Sequence, residues 1–144
     1  MMISPEDMVG PWSMNIEVTS EAKTAMEEAS HAVYPCEACG LLLGRAGRIE
    51  IVRPTRNVHA TPQTHFEIDP QALIDAHRAE REGGPKVIGY FHSHPTGDPS
   101  PSQTDRAMSA GDGKIWAILA RGELRLWRDE AGGFSALSYS VTAR

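Results

Sequence analysis

A chain of 144 residues with 40% hydrophobic content can bury one ordinary core and has no room for two full domains. Its 14 lysines and arginines against 19 aspartates and glutamates give a formal charge of −5, which argues against nucleic-acid backbone binding as the main activity. No apolar run approaches the length that crosses a bilayer, and the first residues lack the basic and apolar regions of a signal peptide, so a cytoplasmic protein with no membrane partner is expected.

Residues 1–13 contain Pro5, Gly10 and Pro11 without periodicity and read as a flexible arm, leaving 14–144 as the domain. Trp12 in that arm has no evident core partner and could sit against another chain, which leaves a homodimer open. Residues 15–19 suggest a first strand. Ser20 then caps a helix to Val33, with Ala22, Ala25, Met26, Ala29 and Val33 along one apolar stripe. Residues 38–43 and 48–52 form a hairpin around 44–47, where Arg45, Arg48, Arg53 and Arg56 read as a solvated face. Residues 64–68 alternate as a short strand, with Phe66 and Ile68 inward and His65 and Glu67 at the surface. His31, His59 and His77 read as ordinary polar positions.

Asp69 and Pro70 open a second helix that runs to Arg81, before Gly83-Gly84-Pro85. A β-prone strand over 86–91 follows. Residues 114–119, 123–127 and 134–141 alternate as an antiparallel meander, with Trp116 and Trp127 packed in or against it. The class is α+β: a curved mixed sheet flanked by helices.

The chemistry concentrates in His92-Ser93-His94-Pro95-Thr96-Gly97-Asp98-Pro99-Ser100-Pro101-Ser102-Gln103-Thr104-Asp105. Side chains two apart on a strand share a face, so His92 and His94 can meet one ion while Ser93 points the other way. The Pro/Gly-rich segment must turn, and a helix beginning near Ser102 could bring Asp105 back to the imidazoles. Three protein ligands leave a fourth tetrahedral position for water, the pattern of a catalytic zinc. Plainer readings exist for each part: a His-x-His pair is common at strand ends, and Ser102 with Asp105 also spells a capping box. Taken together, a strand end, a turn and a capped helix are the setting that the metal reading requires.

The spacing His-x-His, seven residues, Ser-x-x-Asp resembles the JAMM (MPN+) metallopeptidases, compact prokaryotic-type members in particular. The likeness extends through Asn57, His65-Phe66-Glu67-Ile68 and the strand into His92, over most of residues 14–141. It implies a single MPN-type (cytidine-deaminase-like) domain with one zinc ion held by His92, His94 and Asp105, together with a bound catalytic water. It further implies Glu37, just before the apolar run 38–43, as catalytic acid/base and Ser102 as oxyanion donor. The implied activity is hydrolysis of an amide bond at the C-terminus of a small ubiquitin-like or sulfur-carrier protein. The chain is too compact for obvious long insertions, which favours a simpler substrate than polyubiquitin.

Two alternatives stand beside this. A non-catalytic MPN scaffold would lack at least one of the five residues, and all five are present. Pro35-Cys36-Glu37-Ala38-Cys39 also spells the Pro-Cys-x-x-Cys of zinc deaminases, whose His-x-Glu lies upstream, whereas here His65-Phe66-Glu67 lies downstream. A redox Cys-x-x-Cys fits poorly at the start of a strand. Cys39 reads as a small core residue and Cys36 as incidental.

Overall fold

The computed structural model describes residues 15–143, so the arm and Trp12 lie outside the described residues. Strand β1 (Ile16–Thr19) leads into helix α1 (Ser20–Val33), followed by the hairpin of β2 (Cys39–Arg45) and β3 (Arg48–Thr55). Helix α2 (Pro70–Arg81) precedes β4 (Lys86–Ser93), and the short helix α3 (Gln103–Met108) precedes β5 (Ile115–Ala120). Strands β6 (Glu123–Glu130), β7 (Gly133–Leu137) and β8 (Tyr139–Thr142) complete the fold.

The eight strands among the described residues form one mixed sheet in the order β7-β6-β5-β4-β2-β3-β1-β8. The expected last strand over 134–141 divides at Ser138: its first half pairs antiparallel with β6 and its second half parallel with β1. Leu137 and Tyr139 therefore belong to opposite edges of the order, and the sheet must curl until those edges meet. The Ile16 amide donates to the Ser138 carbonyl at 2.9 Å, and the Tyr139 hydroxyl donates to the Leu124 carbonyl at 2.7 Å, tying the seam.

Two apolar layers follow from the side-chain alternation of the central strands. Ile16, Val18, Leu42, Phe91, Ala117 and Leu126 face α1 and bury Ala22 and Met26 of its stripe. Leu41, Leu43, Val87 and Trp116 face the other way, under Phe66, Ile68 and Ala76 of α2. With both faces covered, β2 and β5 are apolar almost throughout, as buried central strands must be. Gly89 of β4 lies where a Cβ would run into the backbone oxygen of Ile115, so only glycine lets β4 and β5 pair there.

Several expectations change. The α1 cap is Thr19, whose hydroxyl oxygen accepts from the Ala22 amide, while Ser20 is the first helical residue. Val33 ends the stripe 43% exposed, because the helix has by then run past the sheet. Residues 64–68 alternate in burial as expected but form no strand; one bridge pairs Asn57 with Ile68, and the Asn57 side chain takes the His65 carbonyl and the Glu67 amide. Trp116 is buried and Trp127 packs against the outer layer, as the sequence predicts. No helix among the described residues is long and apolar enough to cross a membrane.

Candidate metal centre

The carboxyl end of β4 places His92 on the outer face of the sheet, fully buried, where Phe66 stacks on its ring at 4.3 Å. His94 follows one residue beyond the strand, held by its amide to the Leu119 carbonyl of β5 at 2.9 Å. Helix α3 supplies Asp105 at its third position. The Ser102 oxygen accepts from the Asp105 amide at 3.0 Å, and Asp105 Oδ2 accepts from the Ser102 amide at 2.9 Å. The capping box and the converging site are thus one arrangement: the cap that starts α3 is what aims the carboxylate at the imidazoles.

Asp105 Oδ2 lies 3.1 Å from His92 Nε2 and 3.1 Å from His94 Nε2, and those two nitrogens are 3.1 Å apart. Hydrogen bonds cannot satisfy this triangle. His94 Nδ1 lies 2.7 Å from the Asp98 carbonyl, which only accepts, so Nδ1 carries the proton and a neutral His94 presents a bare Nε2. One proton on His92 Nε2 can serve only one of the other two atoms. A single cation at the centre serves all three. Zinc–nitrogen and zinc–oxygen bonds put neighbouring donors of a tetrahedral site about 3.3 Å apart, and the observed triangle is that size. The Asp98 carbonyl also supplies the outer partner that orients a metal-binding histidine.

The charges agree. Burial alone would raise the Asp105 carboxyl, but hydrogen bonds from His92 and His94 outweigh it and hold the group far below the usual carboxylate range. Burial lowers His92 and keeps it neutral. Burial opposes the charged form of His94 too, yet Asp105 and the Asp98 carbonyl reverse the balance and raise it.

Glu37 lies just before β2 with its side chain buried and Oε1 without a hydrogen-bond partner. Burial, opposed by His94 and reinforced by Asp105, lifts its pKa from 4.5 to about 7. An unpartnered carboxyl poised near neutrality fits proton transfer. Ser102 is exposed; its oxygen is engaged as an acceptor by the Asp105 amide, so its O–H is free to donate outward.

Two residues prove more important than their sequence signals. Ser93 does point away from the ring pair, but its hydroxyl oxygen accepts the Ala38 amide at 2.8 Å while its own amide donates to the Ala38 carbonyl at 3.0 Å. That reciprocal pair fixes the residue after Glu37 to the residue between the two histidines. Asn57 donates to the carbonyls of Glu37 at 3.0 Å and His65 at 2.9 Å and accepts from the amides of His59 and Glu67. A buried-side serine between two histidines was a visible signal for the first; the long-range role of Asn57 had none beyond its place in the likeness. His65 stacks on His59 and takes no place at the triangle, nor does Glu67. Cys39 Sγ is turned to Thr55 and the Arg56 carbonyl, and neither cysteine joins the cluster of metal-capable donors among the described residues.

The family model for prokaryotic homologs of the JAB domain matches residues 19–130. A desampylase of Haloferax volcanii is 36% identical over 88 residues, which are 60% of this chain and 63% of that protein. A probable TtuB-protein conjugate cleaving protease of Thermus thermophilus is 41% identical over 71 residues, 49% of this chain and 47% of that one. The chain therefore spans less than two thirds of the length of either relative. The solution structure of a Desulfitobacterium hafniense protein superposes with a TM-score of 0.80 at 27% identity, covering 90% of this chain and 94% of that one.

Proposed function

This chain belongs to the family of prokaryotic JAB-domain homologues, and on that premise we propose that it is a zinc-dependent isopeptidase cleaving an amide bond at the C-terminus of a ubiquitin-like or sulfur-carrier protein. The observation that carries the reading is the pairing of a buried three-donor triangle, His92, His94 and Asp105, with a buried carboxyl, Glu37, that has no partner of its own. The names of the two relatives support the substrate class, since one is a conjugate-cleaving protease. Two free cysteines fit the reducing cytoplasm.

One zinc ion per chain, when bound, polarises the scissile carbonyl and makes the attacking water acidic near neutral pH. His92, His94 and Asp105 would hold it. Glu37 accepts the water's proton at Oε1 and returns it to the departing amine, a base and then an acid. Ser102 donates its hydroxyl to the carbonyl oxygen as that atom gains charge, an interaction that exists only in the transition state. Ser93 and Asn57 keep Glu37 in register with the histidines by holding the two polar atoms of the peptide that follows it, the Ala38 amide and the Glu37 carbonyl.

Incubation of the zinc-loaded protein with C-terminally extended ubiquitin-like proteins, read by intact mass, tests this. Loss of the extension at the junction is expected, and no cleavage of any member of the class would sink the substrate assignment. The deaminase alternative is separated by zinc content: His94→Ala abolishes binding and Cys36→Ser retains it on the peptidase reading, with the reverse on the other.

A further inference from the structure

Residues 95–101 connect the histidines to Asp105, and two successive carbonyls of that loop have partners. The Asp98 carbonyl accepts from His94 Nδ1 at 2.7 Å, and the Pro99 carbonyl accepts from the indole Nε1 of Trp127 at 2.9 Å. Trp127 lies on β6, paired in register with Trp116 of β5 and packed against the outer apolar layer. Its ring is therefore seated by contacts that do not depend on the loop.

The covalent geometry between the two carbonyls is stiff. The peptide joining Asp98 to Pro99 is planar, and the ring of Pro99 locks its φ, so one soft dihedral, the ψ of Pro99, separates the atom that Trp127 holds from the atom that orients His94. Pro99 is itself buried, whereas Thr96, Gly97 and Asp98 are exposed. Asp98 would swing with the exposed stretch if nothing fixed its neighbour.

We propose that Trp127 is a positioning residue of the metal site, acting through the Pro99 and Asp98 carbonyls on the ring of His94. The proposal rests on the reading of His92, His94 and Asp105 as zinc ligands. The indole N–H sets the direction of the Asp98 carbonyl, and that carbonyl sets both the tautomer and the tilt of His94. Removing the N–H while keeping an aromatic ring loosens the site without emptying the outer layer.

Trp127→Phe is the test, with zinc affinity measured by competition against a chromophoric chelator and the melting temperature of the metal-free form recorded alongside. The expected result is a zinc affinity weaker by roughly 10-fold, the low end of the range for losing an outer partner of a metal-binding histidine, because the Asp98 carbonyl itself remains. The metal-free melting temperature falls little, and the cobalt-loaded variant shows an altered visible spectrum. A merely structural tryptophan would lower the melting temperature and leave zinc affinity and the cobalt spectrum unchanged, which overturns the proposal. A second measurement needs no variant: in the wild-type protein the Trp127 indole N–H should exchange slowly with solvent, more slowly when zinc is bound, and free exchange in both states also overturns it. A wild-type protein that takes no zinc overturns this inference and the functional reading together; equal zinc binding by wild type and variant overturns this inference alone.

Discussion

Glu37 pays for its readiness in stability, because an unpartnered carboxyl at 6% exposure is most comfortable uncharged. Its pKa is raised from 4.5 to about 7 by burial. A raised folded pKa means that this group's contribution is whole below pH 4.5 and is lost as the pH rises through about 7. Glu37→Gln should therefore raise the melting temperature of the metal-free protein by roughly 2–4 °C at pH 8, and by little at pH 5. The same variant should keep stoichiometric zinc and lose roughly 1,000-fold in turnover, as expected for a missing general base. Full activity in Glu37→Gln would show that another group moves the proton, and a melting difference independent of pH would refute the buried-charge account.

At the level of elements, the loop between β3 and α2 depends on one side chain. Asn57→Ala leaves the carbonyls of Glu37 and His65 and the amides of His59 and Glu67 without their partner, and unmade hydrogen bonds at part-buried groups cost about 1–3 kcal/mol each where water cannot replace them. A net loss of about 2 kcal/mol in a urea titration is expected, with turnover lowered because Glu37 loses its anchor. Gly89→Ala should also destabilise, by about 1–3 kcal/mol, since the new methyl meets the Ile115 backbone and forces β4 and β5 apart. A neutral result at Gly89 would mean that the two strands can part freely. Helix α2 was legible because Asp69, Pro70 and the glycines beyond Arg81 are local signals, and the structure bounds it at the same residues. The apparent strand at 64–68 misled for a physical reason: alternation reports which side chains are buried, and Phe66 and Ile68 are, but pairing requires a neighbour whose backbone is free. The Ser102–Asp105 pair invited a choice between cap and ligand that the fold does not make.

For the whole molecule, the five candidate site residues come from three separate stretches of chain, and the fold brings them together. The spacing of His92, His94 and Asp105 announced three converging donors, and the structure brings those three together, while the bonds of Trp127 and Asn57 span long sequence separations that periodicity cannot reveal. Zinc at about 100 times its dissociation constant should add about 2.7 kcal/mol to the folded state, or roughly 5–10 °C in melting temperature for a domain of this size. Chelation should reverse the gain, and a calorimetric scan indifferent to both treatments would count against a metal bound by the folded chain. The division of the last strand at Ser138 could not be read from sequence either, since 134–141 alternates evenly and nothing local marks a change of partner.

That division has a mechanical consequence. Strands β1 and β8 run parallel, with Ile16 opposite Tyr139 and Thr19 opposite Thr142. Tension entering ahead of Ile16 and leaving after Thr142 pulls the two strands along their length in opposite senses. All the bonds of that ladder are then loaded at once in shear, where an antiparallel pair held at one end would unzip one bond at a time. The seam that closes the sheet is also a clamp against being drawn apart from its two ends, and it lies on the far side of the strand order from the β4–β5 pair that carries the histidines.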